Sequence, residues 1–401
     1  MLARFAIPFF LLMGIVVVPL VLALLLRWLL PRRMARWATV ACTLLLYVVL
    51  WYGTHQGFTQ LEVREVEFVS SDLPAAFDGY RIVHFSDAHV GTFTGHRLPL
   101  LRRAVRTINS QQADMIVFTG DLQNLHPSEI ADQCSLLRAL HAPDGVYSVL
   151  GNHDYPMYLP LTEAEQADTL ALTKQLERFL GWTLLLNDHV AIRRGADSIV
   201  IGGMENWGRA ERMPHEGDVG KTLSGITSRP SGRADGGFSP FIVMLQHDPT
   251  CWRDKILPEC HAQLTLSGHT HGGQATLFGW SPVALTYTEW SGMTYEGQRA
   301  INVSTGLGAL IPFRFGQPAE VVVVTLKTKR NKSKKDKKYA PHFILCLSAL
   351  RGHSRHNLDD HLDGIARRHR LYFGQWSLLG LLSRPLVGPR HHPCLPPARP
   401  C

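Results

Sequence analysis

Five short apolar runs, each followed within a few residues by side chains that can bind a metal ion, constrain this chain more than any other feature. The runs are rich in Ile, Val, Leu and Phe, a pattern typical of buried strands. They lie at residues 81–83, 115–118, 146–150, 241–245 and 264–266. Because open α/β sheets place their sites at the carboxyl ends of the strands, we expect the polar residues after these runs to converge.

The polar residues after the runs are two carboxylates, one amide and four imidazoles. They occur in the segments F-S-D-A-H, T-G-D, L-G-N-H-D, L-Q-H-D-P and S-G-H-T-H-G-G, and they are Asp87, His89, Asp121, Asn152, His247, His269 and His271. This mixture of oxygen and imidazole ligands suits Mn, Fe or Zn better than Mg or Ca. Two neighbouring divalent ions need one shared ligand, and a carboxylate can bridge where an imidazole normally cannot. The pattern predicts a dinuclear metal hydrolase.

Together and in this order, the five segments resemble the signature of the calcineurin-like metallophosphoesterase family, in particular its membrane-anchored bacterial branch. The signature spans Asp87 to His271, and the similar framework extends to about residue 326. The resemblance implies an α/β fold in which two packed β-sheets are flanked by helices, the αββα metallophosphoesterase sandwich. It also implies phosphoester hydrolysis by a hydroxide that bridges two divalent metal ions.

The resemblance further assigns roles within the site. Asp121 would bridge the two metals. Asp87, His89 and His271 would complete the first metal site, and Asn152, His247 and His269 the second. The alternation of His269 and His271 does not by itself say which histidine binds which metal.

Two further residues follow the third run and are candidates for catalysis. His153 matches the family's non-ligand histidine, which would donate a proton to the leaving alkoxide. Asp154 could orient that imidazole, or it could be a simple turn or cap residue. Arg314, in the apolar segment 307–315, could bind phosphate or serve packing. His84 lies three residues before Asp87, and this spacing favours a packing role.

The N-terminus contains two uncharged stretches, Phe5–Leu26 and Trp37–Gly53. The first is long enough to cross a bilayer, and the second is near the lower limit. We therefore predict a transmembrane hairpin over residues 1–54, with a buried soluble hairpin as the alternative. The positive-inside rule places the intervening arginines in the cytoplasm and the catalytic domain outside it. These arginines are Arg27, Arg32, Arg33 and Arg36.

Charge is distributed unevenly along the chain. Residues 1–54 carry five basic and no acidic side chains, residues 55–326 carry 20 basic and 29 acidic, and residues 327–401 carry 16 basic and four acidic. The net charge of +8 therefore belongs to the anchor and the tail. Since the hydrolase domain lacks a field that attracts polyanions, no dedicated nucleic-acid binding is expected. The tail, residues 327–401, is expected to be a disordered extension that could bind the membrane surface. A shifted reading frame is the alternative explanation of its composition.

Between the ligand segments, the pattern predicts helices at 98–109, 130–140 and 162–179, and short strands at 183–186, 190–193 and 198–201. Residues 321–326 are predicted to form the last core strand. Residues 204–239 are polar and rich in Gly, Arg and Ser, which indicates a long loop or a partly disordered insertion.

An anchored hydrolase of this kind works beside lipid headgroups, so a membrane-associated or lipid-linked phosphodiester is the expected substrate. A nucleotide phosphohydrolase acting on soluble substrates is one alternative. A membrane-tethered binding module with an inactive site is another, although every ligand of the signature is present.

Overall fold

The computed structural model describes residues 16–226, 240–309 and 311–329. Twelve strands and seven helices are named in this part of the chain. The strands are β1 (Leu61–Ser70), β2 (Arg81–Phe85), β3 (Met115–Phe118), β4 (Val146–Ser148), β5 (Thr183–Leu184), β6 (Asp188–Arg194), β7 (Asp197–Gly203), β8 (Phe241–Leu245), β9 (Leu264–Ser267), β10 (Gly292–Glu296), β11 (Arg299–Val303) and β12 (Ala319–Thr328). The helices are α1 (Val18–Leu29), α2 (Arg32–His55), α3 (Leu98–Ser110), α4 (Ser128–Leu137), α5 (Glu163–Phe179), α6 (Val219–Thr222) and α7 (Leu257–Glu259).

The strands form two six-stranded mixed sheets. The first has the order β1-β12-β2-β3-β4-β5, in which β2 to β5 are parallel and β12 runs antiparallel to β2. The second has the order β10-β11-β9-β8-β7-β6, in which β11, β9, β8 and β7 are parallel. In each sheet, the parallel strands that precede the ligand segments therefore lie side by side.

Three apolar layers hold the two sheets and their helices together. Between the sheets, Ile82 and Val117 of the first pack in one cluster with Val243 and Leu266 of the second. On the outer face of the first sheet, strand residues pack against α3, α4 and α5, and on the outer face of the second against the segments around α6 and Trp252. This arrangement confirms the predicted αββα sandwich.

The predicted helices and strands of the catalytic region are present, with shifted ends. The second predicted helix begins and ends earlier, at Ser128 and Leu137. Thr162 caps α5 by accepting a hydrogen bond from the Glu165 amide, while the Glu165 side chain accepts from the Thr162 amide. Strands β1, β10 and β11 were not predicted. The alternation of exposed charge and apolar residues in β1 was a usable signal.

The expectation of one long loop over residues 204–239 is wrong for its first part. Residues 204–226 contain the helix α6 and a bridge between Trp207 and His215. The side-chain oxygen of Asn187 accepts hydrogen bonds from the amides of Glu205 and Asp218, which joins both ends of the segment. Residues 227–239 lie outside the described residues, as does the tail from residue 330.

At the N-terminus, α1 and α2 are joined by only two residues. The second uncharged stretch, Trp37–Gly53, lies within α2. The helix begins five residues before this stretch, so Arg32, Arg33 and Arg36 belong to its first turns. The continuous helical segment Arg32–Thr59 spans 28 residues and is long and apolar enough to cross a membrane, whereas α1 has 12 residues. The predicted first stretch extends into residues 1–15, which lie outside the described chain.

Candidate metal centre

All seven predicted ligands lie beyond the carboxyl ends of five parallel strands, as the sequence predicted. Strands β2, β3 and β4 of the first sheet lead to four of them: Asp87, His89, Asp121 and Asn152. Strands β8 and β9 of the second sheet lead to the other three: His247, His269 and His271. The site therefore lies between the two sheets at one edge of the sandwich.

The first cluster contains Asp87, His89, Asp121 and His271, whose potential ligand atoms all lie within 4.8 Å of one another. His89 Nε2 lies 3.2 Å from His271 Nε2, and His271 Nε2 lies 3.4 Å from Asp87 Oδ1. Among the described residues, this is the group of His, Cys, Asp and Glu side chains found close enough to hold a metal ion.

The second cluster is formed by Asn152, His247 and His269. His269 Nδ1 lies 2.8 Å from Asn152 Oδ1 and 3.3 Å from His247 Nε2. His247 Nε2 lies 3.2 Å from Asn152 Oδ1. Three potential ligand atoms thus point at one position, in the grouping that the family resemblance implies.

Asp121 Oδ2 lies between the two clusters. It is 3.5 Å from His89 Nε2 in the first and 3.3 Å from His247 Nε2 in the second. Nitrogen and oxygen ligands at roughly 2.1 Å from one tetrahedral ion lie about 3.4 Å apart. The separations in both clusters are close to that value, so the residues fit two ions that share Asp121.

The electrostatics of the site also fit cations. Burial raises the pKa of Asp87 to about 6, with Asp121 adding to the increase. For Asp121, burial acts in the same direction, but the imidazoles of His247, His153 and His89 hold its pKa well below the usual range. Burial opposes protonation of His247, yet the two carboxylates raise its pKa to about 10. The buried carboxylates therefore attract positive charge into the site.

The backbone at the site is unusual. Five of the seven predicted ligands have positive φ values, a region that costs a residue with a side chain about 1 kcal/mol or more. The φ values are 50° at Asp87, 44° at His89, 60° at Asp121, 72° at His269 and 52° at His271. Strained conformations cluster at functional sites, where the surrounding structure enforces them.

Two glycines allow the segments to approach this closely. A Cβ atom at Gly151 would overlap the carboxylate of Asp121, and one at Gly268 would overlap that of Asp87. The glycines in the L-G-N-H-D and S-G-H-T-H segments therefore have a steric explanation.

Each residue of the second cluster has a hydrogen-bond partner behind it. His247 Nδ1 lies 2.7 Å from the Thr119 carbonyl, and His269 Nε2 lies 2.9 Å from the Tyr287 hydroxyl. The amide of Asn152 donates to the Tyr158 hydroxyl at 2.8 Å. Sequence reasoning missed both tyrosines, because neither belongs to a ligand segment. Tyr158 lies six residues after Asn152, and nothing local distinguished it.

His153 lies beside both clusters. Its ring makes an edge contact with His89 at 4.9 Å between centroids and stacks on Tyr158 at 4.6 Å. Its Nδ1 atom lies 2.6 Å from the Asn124 carbonyl, which leaves Nε2 directed elsewhere. Its backbone amide donates to Asp121 Oδ1 at 2.7 Å. The structure thus brings His153 to the site and places its orienting partner on the backbone.

Of the two roles that the sequence left open for Asp154, the contacts favour the turn or cap residue, because its carboxylate bonds to backbone amides and the His153 ring bonds to the Asn124 carbonyl. Its carboxylate is buried and accepts hydrogen bonds from four backbone amides at 2.8–3.3 Å. These amides belong to Asp121, Leu122, Gln123 and Gly151. Asp154 therefore fixes the loop that carries Asp121, and the Asn124 carbonyl orients the His153 ring instead.

Arg314 also has a structural role rather than the suggested phosphate contact. The side chain is 1% exposed, and it donates to the carbonyls of Thr305, Gly306 and Gly308 at 2.7–2.9 Å. That loop supports the first cluster, since the amide of Gly308 donates to the Asp87 carbonyl. The packing role predicted for His84 is confirmed: it is buried and lies 2.9 Å from Thr119 Oγ1.

Comparison with known proteins agrees with this geometry. The family model described as calcineurin-like phosphoesterase matches residues 80–273, which include all seven predicted ligands. The metallophosphoesterase YkuE of Bacillus subtilis (strain 168) is 33% identical over 279 residues, 67% of this chain and 86% of that protein. A metallophosphoesterase of Aquifex aeolicus (strain VF5) is 26% identical over 288 residues, 71% of this chain and 98% of that protein.

The similarity is not confined to bacterial proteins. A Danio rerio protein described as a transmembrane protein with metallophosphoesterase domain is 28% identical over 297 residues. The match covers 72% of this chain but 62% of that protein. The fold, the order of the predicted ligand segments and the sequence similarity over most of a relative's length all agree. This chain belongs to the calcineurin-like phosphoesterase family and is a hydrolase of phosphoesters.

Proposed function

We propose that this protein is a membrane-anchored, dinuclear metal-dependent phosphoesterase whose substrate is a membrane-associated or lipid-linked phosphodiester. The observation that carries the dinuclear part is the position of Asp121 Oδ2, within 3.5 Å of a ligand atom in each cluster. The described ligand set, with four imidazoles and only two carboxylates, supports Mn, Fe or Zn as the native ions.

When bound, the two ions would supply Lewis acidity toward phosphate oxygens and would make a water molecule more acidic and so a better nucleophile. Asp121 would be the ligand that both ions share, Asp87, His89 and His271 would hold the first ion, and Asn152, His247 and His269 would hold the second. The protein's own contribution to bond cleavage comes from His153. Since Nδ1 faces the Asn124 carbonyl, Nε2 is the atom that donates a proton to the leaving oxygen.

Membrane anchorage rests on the N-terminal helices. Of the residues of α1 and α2, only Ala35 and Gly53 are buried, and the large apolar side chains Trp28, Trp37 and Leu45 are exposed. A surface this apolar is suited to lipid. Relatives described as transmembrane proteins support the same reading. We assign residues 1–54 to a two-helix anchor, 55–326 to the catalytic domain and 327–401 to a basic tail.

The topology follows from the positions of the arginines. Arg27 lies in the last turn of α1, and Arg32, Arg33 and Arg36 lie in the first turns of α2. Basic residues at the connected ends of two spans favour the cytoplasmic side. The C-terminal end of α2, which leads into β1, is then on the opposite side, and so is the catalytic domain.

The proposal is tested with the full chain in nanodiscs, supplied in turn with Mn, Fe, Zn or Mg. Substrates are a chromogenic phosphodiester, the matching monoester, a nucleotide and a lipid with a phosphodiester headgroup. We expect metal-dependent turnover with preference for diesters. A protein that is folded but binds no metal and turns over none of these substrates contradicts the proposal and favours a tethered binding module. Preference for the nucleotide favours the soluble-substrate alternative.

The role of His153 is tested by leaving-group dependence. His153→Ala is expected to slow hydrolysis of an alkyl phosphodiester by roughly 10² to 10⁴, because proton donation matters most for a poor leaving group. With a nitrophenyl leaving group the loss is expected to be much smaller. The exposed His141 gives a control, His141→Ala, that alters neither rate. Equal losses with both leaving groups would show that His153 only supports the site.

A further inference from the structure

An exposed apolar hairpin follows the last metal-ligand segment. Residues 274–288 contain no charged side chain. Four large apolar residues in this segment are highly exposed: Leu277 (59%), Phe278 (99%), Trp280 (52%) and Leu285 (81%). Single exposed apolar residues are ordinary, but a group of this kind marks an interaction surface.

The hairpin has a defined shape. The amide of Leu277 donates to the Trp280 carbonyl at 2.9 Å, and the amide of Trp280 returns a bond to the Leu277 carbonyl at 3.1 Å. Phe278 and Gly279 form the two-residue turn, with φ values of 52° and 76°. A bulky residue at positive φ is strained. The fold therefore holds a fully exposed phenyl ring at the tip, at a cost in backbone energy.

The base of this hairpin and the C-terminal end of α2 rest on the same segment. Phe315 pairs with the hairpin base, where its amide donates to the Gln274 carbonyl at 2.9 Å. The ring of Phe315 contacts Tyr52 of α2 edge-on, at 5.9 Å between centroids. The amide of Arg314 donates to the Gly53 carbonyl at 3.0 Å. The hairpin thus lies beside the end of the proposed membrane span.

The residues of α2 indicate where the membrane surface lies. Tyr47, Trp51 and Tyr52 occupy its last turns, and Trp51 is 58% exposed. Aromatic residues of this kind collect at the membrane–water interface. The headgroup level at the end of α2 is therefore also the level of the neighbouring segment 311–315, on which the hairpin is built.

We propose that the hairpin formed by Leu277–Trp280, together with Leu285, enters the headgroup region of the membrane that α2 crosses. Continuity with α2 favours lipid over a protein partner, and the absence of charge in residues 274–288 favours apolar insertion over attraction to anionic lipid. Because the hairpin follows His271 directly, its insertion turns the metal centre toward lipid headgroups. This inference rests on the proposed function, and it narrows the substrate to a phosphoester carried by a lipid of the same bilayer.

Membrane insertion is tested directly by fluorescence, independently of activity. The full chain is placed in nanodiscs with or without bromine-labelled lipid, which quenches tryptophan fluorescence at short range. The tryptophan emission of the Trp280→Phe variant is then subtracted from that of the unchanged protein, which leaves the emission of Trp280. We expect the difference emission, which belongs to Trp280, to fall at least about twofold with brominated lipid. A difference emission that the brominated lipid leaves unchanged overturns the proposal. The variant Phe278→Trp in the Trp280→Phe background repeats the test with a reporter at the tip.

The consequence for substrate use is tested with Phe278→Ser combined with Leu285→Ser. Removing two apolar anchors should lower hydrolysis of a chromogenic phosphodiester headgroup in the nanodisc about tenfold. Turnover of a soluble chromogenic phosphodiester should stay within about twofold. Phe179→Ser, at an exposed phenyl ring at the C-terminal end of α5, should change neither.

The two outcomes separate insertion from catalysis. Equal losses on soluble and lipid substrates overturn the proposal, since the hairpin would then support the site and not the membrane contact. If the unchanged protein hydrolyses neither substrate, the proposed function fails, and the fluorescence measurement alone decides whether the hairpin inserts.

Discussion

The two halves of the metal centre are held in different ways. In the second half, His247, His269 and Asn152 each have a hydrogen-bond partner behind the ligand atom. In the first half, the Nδ1 atoms of His89 and His271 are buried and have no hydrogen-bond partner among the described residues. The first half therefore depends on other means to orient its imidazoles.

Those means are the backbone and the packing around it. Asp87, His89 and His271 all have positive φ values, and the loop against them is held by the buried Arg314. A Cβ atom at Gly306 would overlap Asp87, which shows how closely this loop approaches the ligand. The imidazoles of the second half thus have hydrogen bonds behind the ring, whereas those of the first half are oriented by packing and by the course of the chain. Changes to the two halves should have different consequences.

The largest effect should come from the residue that the halves share. Asp121→Ala removes the carboxylate that lies between the clusters, so binding of both proposed ions should be lost or weakened together. Lewis-acid stabilisation is worth several kcal/mol, so the rate should fall by on the order of 10³ or more. Metal content by mass spectrometry and turnover check this. A variant that keeps two ions and full activity would contradict the bridging role.

The second largest effect should come from a change in the first half of the metal centre, and it should lower the stability of the fold. Arg314→Ala leaves several buried carbonyls without donors, which should lower the free energy of unfolding by about 3 kcal/mol. Thermal unfolding measures this. Arg102→Ala, at an exposed position of α3, is the control and should leave the unfolding temperature unchanged. If Arg314 instead served only to bind phosphate, KM would rise while the unfolding temperature stayed constant.

The same contrast explains what the sequence could and could not predict. The ligands were predictable because each follows an apolar strand in a short motif, and parallel strands end at one edge of a sheet. Tyr158, Tyr287 and Arg314 were not, since their roles depend on contacts that the fold makes between distant segments. Two roles stayed open for Asp154 for a related reason: adjacency to His153 suggested a contact, whereas the carboxylate turns toward the amides of the neighbouring loop.

A smaller effect is expected for the partners of the second half. Tyr287→Phe and Tyr158→Phe each remove one hydroxyl that orients a ligand, and such losses typically cost about 10- to 100-fold in metal affinity or activity. Competition with a chelator measures the affinity of the weaker ion. Tyr295→Phe, at a half-exposed phenol on β10, is the control and should have no effect. If both tyrosine variants bind metal as tightly as the unchanged protein, the hydrogen bonds behind the second half do not distinguish it from the first.

The smallest effect concerns a carboxyl behind the second half. Glu177 of α5 is fully buried, with one oxygen bonded to Ser148 Oγ at 2.8 Å and the other without a partner in the described structure. Burial, reinforced by Asp154, raises its pKa well above the usual range. Above about pH 4.3, the unfolded chain releases this proton whereas the folded state keeps it. The free energy of unfolding therefore falls as the pH rises from that value toward the raised pKa of the folded state.

Glu177→Gln keeps the acceptor for Ser148 and removes the titration. The variant should be more stable than the unchanged protein at pH 8, with the difference shrinking toward pH 4. Thermal unfolding between pH 4 and 8 measures both. Asp168→Asn, at an exposed position of the same helix, should show no such pH dependence. A Glu177→Gln protein that loses stability equally at every pH would mean that the carboxylate form is the one the fold requires.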